Sequence, residues 1–263
     1  MILRVFLLLI LCAPAWGASN SEAFRKQCTA LLERKGDEAG RLRALFTAHW
    51  EYSMREFPES ATWRGYPGQN DRWTDYSLAA VKRRQEDTRA ALTVAQSINR
   101  AKLPAHERLN LDLFRRQMEL EVAGQKFPAH LLLVSQMDGI QRSAASMLRM
   151  MPARKVADYE DILERLRGTE KLIGQTTDLL RAGLKAKVTP PKICLRDLGE
   201  QVAKQLTKDP MDSPLLQPFR DFAGGIPQDQ QSRLRRDALA AYDEVAEPAF
   251  RRFQEFLVKR IDI

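Results

Sequence analysis

The stretch KVADYEDILERLRGTEKLIGQTTDLLRAGLKA, residues 155–186, is the clearest helical segment of the chain. Its apolar side chains recur at intervals of three and four residues, which places them on one face of a helix. These side chains are Tyr159, Ile162, Leu163, Leu166, Ile173, Leu180 and Leu184. Because Gly168 and Gly174 lie inside this continuous pattern, the segment predicts one long helix and not a phosphate-binding loop.

Helical periodicity of the same kind covers most of the chain and predicts an all-α fold of long antiparallel helices. Further helices are expected at residues 21–56, from Asp75 or Ser77 to about Arg100, at residues 103–124, from about Ile140 to Met151, and from about Gln228 to the end with a kink at Pro248. The buried face of the helix at 103–124 is expected to consist of Leu109, Leu113, Met118 (or Phe114) and Val122.

Two segments interrupt the helical pattern. Residues 58–77 hold two prolines, two glycines, two tryptophans and two tyrosines, which predicts a long ordered loop with aromatic anchors. Residues 131–134 form a short apolar run behind Pro128 and are expected to be extended. The fold is therefore expected to hold at most one or two short strands.

The N-terminal residues MILRVFLLLILCAPAWG have the layout of a secretory signal peptide, with Arg4, an apolar run and small residues. The apolar run is too short to span a bilayer as a helix. Cleavage is expected after Gly17, with cleavage after Ala15 as the alternative. We expect a periplasmic or secreted protein with no stable membrane insertion after cleavage, and an uncleaved anchor is the alternative.

The formal net charge of +8 is spread along the chain and does not form one basic region. Basic runs such as KRR at 82–84 and RLRR at 233–236 lie inside helical patterns, where they indicate solvated faces. No nucleic-acid partner is expected. Two cysteines, Cys28 and Cys194, follow the signal segment. They are expected to be thiols, although export also permits a disulfide between them.

A zinc or catalytic motif is not present in the sequence. The string HERLN begins at His106, but a zincin motif needs a second histidine where this chain has Asn110. His106 and Glu107 are therefore expected to occupy the first turn of a helix, where an acid is favourable. We assign no catalytic residue and no metal ligand.

Two stretches do not resemble plain helix faces and supply the candidate binding residues. The aromatic loop at 58–77 contributes Tyr66, and SQMDGIQ at 135–141 contributes Gln136 and Asp138. These three side chains are the candidates for substrate binding. For SQMDGIQ the alternative is a capping turn, in which Asp138 caps the following helix and Gly139 relaxes the backbone.

Several segments resemble, in order, those of a bacterial family known as domain of unknown function 885. They are FPESATWRGYPGQNDRWTDYS, LNLDLFRRQME, SQMDGIQ, the segment around 159–192 and PAFRRFQEFL. The resemblance runs from about Leu45 to the end of the chain. It implies a mostly helical, often exported protein related to zincin-type metallopeptidases, whose zinc-binding helix lies in a later part of the family's sequence.

From this resemblance we expect residues 18–263 to be the helical N-terminal portion of a larger, truncated peptidase-like domain. Zinc and a peptide-like substrate then belong to the full-length protein, and this chain alone is expected to be inactive. The alternatives are a stand-alone exported helical binding or interaction module and a complete hydrolase. The apolar side chains of the last helix, among them Phe250, Phe253, Phe256 and Leu257, are expected to lie exposed for want of a partner.

Overall fold

The computed structural model of the chain describes residues 16–261. Its α-helices are α1 (Trp16–Glu33), α2 (Glu38–Glu56), α3 (Pro58–Trp63), α4 (Leu78–Ser97), α5 (Ala105–Gly124), α6 (Ile140–Met150), α7 (Val156–Arg167), α8 (Thr169–Ala186), α9 (Leu198–Ala203), α10 (Gln228–Ala241) and α11 (Glu247–Ile261). Short 3₁₀ turns join several of them, and a π turn, Tyr242–Ala246, joins α10 to α11. The described residues hold no strand, so the all-α prediction is confirmed. Of the predicted signal peptide, residues 1–15 lie outside the described part.

Two hydrophobic clusters organise these helices. The N-terminal cluster is formed by α1, α2, α4 and α5, and α4 packs against both α1 and α5. The C-terminal cluster is formed by α6 to α11 together with the 3₁₀ turn Pro214–Phe219. The irregular segment that follows α3, residues 64–77, packs Trp73 and Tyr76 against the C-terminal cluster before α4 begins in the N-terminal cluster. None of the helices in the described part is both long and apolar enough to cross a membrane.

The single helix expected at 21–56 is divided into α1 and α2, so that prediction is wrong. The backbone turns left-handed at Gly36, with a φ of 75°, and at Asp37, with a φ of 36°. A right-handed helix cannot continue through such residues. The carboxylate of Asp37 then accepts a hydrogen bond from the N–H of Gly40 at 2.9 Å, which caps the start of α2.

The helix expected at 155–186 is also two helices, α7 and α8, which meet at Gly168. Trp73 explains the break, because a β-carbon at residue 168 would lie 2.9 Å from the Cδ1 atom of the Trp73 ring. The indole N–H of Trp73 donates to the carbonyl oxygen of Arg165 at 2.6 Å. The apolar stripe itself is as expected, with all its side chains buried except Leu184, which is half-buried.

The predicted buried face of α5 is largely wrong. Leu109 and Leu113 are 59% and 61% exposed, whereas Leu111 and Met118 are buried. Periodicity cannot choose between them, because α5 carries two apolar stripes and only the stripe with Leu111 and Met118 faces the N-terminal cluster.

Residues 131–134 are not a strand, which corrects a further expectation. A 3₁₀ turn, Ala129–Leu131, begins after Pro128, whose carbonyl oxygen accepts a hydrogen bond from the N–H of Leu131 at 2.9 Å. The segment at 58–77 is ordered as expected, but it begins with α3. Pro58 occupies the first helical position there, where its missing N–H costs nothing.

The last helix does not lie exposed. Phe250, Phe253, Phe256 and Leu257 are all buried in the C-terminal cluster, where α11 packs on α8 and α9. The expectation of an unpartnered apolar face is therefore wrong for these side chains. The irregularity expected at Pro248 takes the form of the π turn that directly precedes α11.

Candidate functional site

A buried arginine holds the segment 64–77 against α7. Arg165 Nε donates to the carbonyl oxygen of Arg72 at 3.0 Å, and Nη2 donates to that of Gln69 at 2.9 Å. Its Nη1 donates to the hydroxyl of Thr62 at 3.1 Å. The guanidinium carbon lies 5.2 Å from the centre of the Trp73 ring, within range of a cation–π interaction.

No carboxylate of the described chain forms an ion pair with Arg165, which is fully buried. Burial lowers the pKa of Arg165 to about 10, while the charges of Glu59 and Asp71 oppose that change. The group stays charged at neutral pH, and carbonyl oxygens and an aromatic face solvate it. Arg165 therefore fixes the position of Trp73 and of the residues that follow it.

A cavity of about 290 Å³ lies beside this anchored segment, between α3, residues 73–76, α6 and α8. Its apolar lining consists of Phe57, Trp73, Leu133, Ile140, Met147 and Leu172. Two carboxylates, Glu59 and Asp138, also line it, and no lysine, arginine or histidine of the described part does. The cavity is thus apolar with a negative charge at its wall.

The two carboxylates differ in how they are held. Glu59 accepts hydrogen bonds from both the backbone N–H and the hydroxyl of Thr74, the former at 3.2 Å, so it ties α3 to the segment 64–77. Asp138 is exposed, and of the donors in the described part of the chain its Oδ1 accepts only the N–H of Gly139, at 2.8 Å. Asp138 is therefore the carboxylate with free capacity to accept hydrogen bonds from a ligand.

Tyr76 adds a protonated hydroxyl to the cavity wall. Burial is the main reason that the pKa of Tyr76 is raised to about 12. The charges of Glu59 and Asp138 also raise this pKa, whereas the charge of Arg84 lowers it. The phenol stays neutral at physiological pH. Its backbone is fixed by a hydrogen bond from its N–H to the side-chain oxygen of Gln175 at 2.8 Å.

The turn that carries Asp138 is ordered by its own hydrogen bonds. The N–H of Ser135 donates to the carbonyl oxygen of Asp138 at 2.7 Å, and the hydroxyl of Ser135 accepts from the N–H of Asp138 at 3.1 Å. Gly139 has a φ of 137°, which favours glycine. Asp138 does not cap α6, because Gly139 holds the cap position without a side-chain hydrogen bond. The alternative of an Asp138 cap is therefore wrong.

The structure separates the other two candidate residues from this cavity. Gln136 lies in the same turn, but its N–H donates to the carbonyl oxygen of Cys194 at 2.6 Å and it does not line the cavity. Tyr66 donates its hydroxyl hydrogen to Glu51 on α2 and does not line it either. A binding role for the three residues stays a prediction, and only Asp138 has the geometry for this cavity.

Sequence reasoning missed Glu59, Trp73 and Tyr76. All three belong to the aromatic segment that the sequence had marked as ordered and functional, so a signal was present. Choosing among its aromatic residues required the long-range contact between Trp73 and Arg165, which local sequence does not show.

The described residues do not fit a zinc site. His49 is half-buried between the rings of Phe24 and Phe114, whose centres lie 6.1 and 5.1 Å from that of its own ring, and desolvation lowers its pKa. His106 is exposed on the first turn of α5, as expected. Within residues 16–261 no three histidine, cysteine, aspartate or glutamate side chains come together in a way that could hold a metal.

Cys28 and Cys194 are free thiols, as expected. Comparison with curated proteins finds no match to the chain. The family model described as "Bacterial protein of unknown function (DUF885)" matches residues 58–262, which include α3, the anchored segment and the whole C-terminal cluster. The chain belongs to this DUF885 family.

Proposed function

We propose that the chain binds a peptide-like ligand in the cavity beside Asp138 and serves as the non-catalytic helical part of an exported, peptidase-like protein. The observation that carries this proposal is the composition of the cavity. An apolar lining to which the described residues add two carboxylates and no cation favours a ligand that has a positive charge on an apolar body.

The N-terminal residue of a peptide has this chemistry. Its α-amino group has a pKa of about 8, so it is mostly protonated at neutral pH and donates up to three hydrogen bonds. Asp138 can accept one of them, and an adjoining apolar side chain can contact Ile140, Met147 and Leu172. The neutral hydroxyl of Tyr76 can donate to a peptide carbonyl oxygen.

Peptide binding is tested by calorimetry with a tripeptide such as Ala-Phe-Ala, with a free or an acetylated N-terminus. Acetylation removes the positive charge, and we expect it to weaken binding about tenfold, the typical effect of losing one charge-assisted hydrogen bond. The variant Asp138→Asn keeps an oxygen for the Gly139 N–H but loses the charge, so it should bind both peptides alike. Asp221→Asn, at an exposed site outside the cavity, is the matched control.

Equal affinity of the wild-type chain for the free and acetylated peptides would contradict the role of Asp138. The non-catalytic part of the proposal is tested separately. We expect the purified chain to bind no stoichiometric zinc and to hydrolyse no member of a peptide panel, because the zinc chemistry that the resemblance implies is proposed to lie outside the described residues. One tight zinc ion per chain would refute it.

A stand-alone binding module is the second candidate function, and the same cavity supports it. The two candidate functions differ in the coding sequence that must adjoin this chain in the gene. Peptidase-like function needs a zinc-binding segment that joins this chain, whereas a module does not. Sequencing the DNA beyond the codon for Ile263 distinguishes them: an in-frame or frameshifted His-Glu motif supports the first candidate, and a stop followed by unrelated sequence supports the second.

A further inference from the structure

A second opening lies on another face of α6. It is a groove of about 430 Å³ between α6, α9 and the 3₁₀ turn Pro214–Phe219. The cavity beside Asp138 uses Ser143 and Met147 of α6, whereas the groove uses Arg142 and Arg149. One helix thus separates two openings of different composition.

The groove is positively charged. Arg142, Arg149 and Lys204 line it, and no carboxylate of the described residues does. Arg142 Nη1 donates to the carbonyl oxygens of Gln136 and Met137, both at 3.2 Å. Neither Arg149 nor Lys204 forms an ion pair with a carboxylate of the described chain. A concave surface lined by charges of one sign attracts ligands of the opposite sign.

A buried amide at the groove has an unmet acceptor. Gln205 is 6% exposed and lines the groove, and its Nε2 donates to the carbonyl oxygen of Gln141 at 3.1 Å. Its Oε1 is buried and receives no hydrogen bond from residues 16–261. Buried side-chain oxygens without a donor are uncommon, because desolvation is then uncompensated. The neighbouring Gln141 also lines the groove, and among the described residues its buried Oε1 likewise has no donor.

We propose that the groove between α6 and α9 binds an oxyanion that carries its own hydrogen-bond donor. The three basic side chains would bind the oxyanion, and the donor would reach Gln205 Oε1. Two kinds of ligand have both groups. The C-terminal residue of a peptide has a carboxylate and an amide N–H, and monohydrogen phosphate has anionic oxygens and a hydroxyl. The groove is a separate site, and its assignment does not rest on the proposed function of the cavity.

The experiment is calorimetry of the full chain at low ionic strength with an acetylated tripeptide acid, its C-terminal amide, inorganic phosphate and acetate. The acetylated N-terminus keeps the peptide from using Asp138, so failure here and failure of the cavity proposal are distinguishable. We expect the tripeptide acid, phosphate or both to bind. Amidation should weaken tripeptide binding at least about tenfold, and acetate, which carries no donor, should bind more weakly than either.

Two variants assign the binding to the groove. Arg149→Gln combined with Lys204→Gln changes exposed side chains only and should weaken anion binding at least about tenfold. Lys185→Gln combined with Lys208→Gln removes the same charge from exposed positions outside the groove and should leave affinity within about twofold. Gln205→Met should weaken binding of the donor-bearing ligands and leave the affinity for acetate unchanged.

Binding of the tripeptide acid alone assigns the oxyanion to a peptide, and binding of phosphate alone assigns it to a phosphate group. Either result supports the proposal. Absence of binding by both at millimolar concentration would refute it, as would equal affinities of the groove variant and its charge-matched control.

Discussion

The two hydrophobic clusters are stabilised in different ways. In the N-terminal cluster the fully buried carboxylate of Asp87 accepts hydrogen bonds from Ser21 Oγ at 2.7 Å, Arg25 Nε at 2.5 Å and Tyr52 OH at 2.7 Å. In the C-terminal cluster the buried hydroxyl of Thr176 bonds within its own helix, to the carbonyl oxygen of Leu172 at 2.9 Å. A buried carboxylate therefore joins helices in the first cluster, whereas apolar packing and neutral hydrogen bonds, such as that from Tyr242 OH to the carbonyl oxygen of Gln205 at 2.7 Å, join the elements of the second.

A second buried carboxylate of the N-terminal cluster also forms ion pairs between helices. Glu56, at the end of α2, accepts from Arg83 at 2.8 Å and from Arg84 at 3.2 Å, both on α4. The C-terminal cluster instead packs the rings of Tyr159 and Phe222, whose centres are 4.8 Å apart. Directional contacts specify which helices of the N-terminal cluster pair. Shape and volume have that role in the C-terminal cluster.

The largest effect is expected from Asp87→Ala. It leaves the buried hydroxyls of Ser21 and Tyr52 without their acceptor and removes one ion pair of the half-buried Arg25, so we expect the free energy of unfolding to fall by about 3 kcal/mol or more. Urea unfolding followed by circular dichroism measures it. Asp178→Ala, at an exposed position on α8 with one surface ion pair, should change stability by less than about 0.5 kcal/mol. Similar small losses for both variants would remove the distinction between the clusters.

Phe253→Ala tests the packing of the C-terminal cluster. The Phe253 ring is fully buried on α11, and its loss should lower the free energy of unfolding by about 3 kcal/mol through lost burial and a cavity. The control is Val258→Ala on the same helix, where the side chain is mostly exposed. A Phe253→Ala loss no larger than that of the control would show that α11 does not pack in solution as described.

Two glycine substitutions, one at the junction between α7 and α8 and one inside α8, should change stability in opposite directions. A β-carbon at residue 168 would meet the Trp73 ring, so Gly168→Ala should destabilise by about 1–2 kcal/mol and alter Trp73 fluorescence. Gly174 lies inside α8 with no atom within 4 Å of a built β-carbon, so Gly174→Ala should stabilise by about 0.5–1 kcal/mol. Changes of the same sign in both variants would contradict the insertion of Trp73.

The smallest effect concerns pH and belongs to the N-terminal cluster. Burial raises the pKa of Cys28 from 9.0 to about 12, and the charge of Asp87 adds to this. Between these values the unfolded chain has released a proton that the native chain keeps, so stability falls as pH rises. The slope approaches about 1.4 kcal/mol per pH unit, and the accumulated loss is about 1.4 kcal/mol at pH 10.

Urea unfolding at pH 8, 9 and 10 measures this dependence, and Cys28→Ala is the control. Other groups titrate equally in both proteins, so their difference isolates the thiol. The wild-type chain should lose more stability than the variant above pH 9. Parallel pH profiles would show that Cys28 does not stay protonated in the native state.

The sequence predicted the all-α fold and the apolar stripe of α7 and α8, because both follow from local periodicity. It failed where a distant residue decides, as at Gly168, where Trp73 ends the helix. It also failed at the last helix, since only the three-dimensional packing shows that Phe253 has partners on other helices. Periodicity reports how apolar a face is and not what covers it.

The candidate site was likewise predicted from the sequence only in part. The polar turn at 135–141 was identified from composition, and Asp138 does line the cavity. Tyr66 was chosen from an aromatic-rich segment without knowledge of its partner, and its hydroxyl contacts Glu51 instead. Glu59 was missed because its hydrogen bonds to Thr74 join residues that are separated by an irregular segment.

Because α6 lies between two openings, an insertion or deletion in this helix during evolution would affect both of them. Each inserted or deleted residue in this helix rotates all following side chains by about 100°. A single insertion or deletion shortly after Gly139 would turn Met147 away from the cavity beside Asp138 and, at the same time, Arg149 away from the groove between α6 and α9. Substitutions can alter one opening alone, but a change of length in α6 alters both at once.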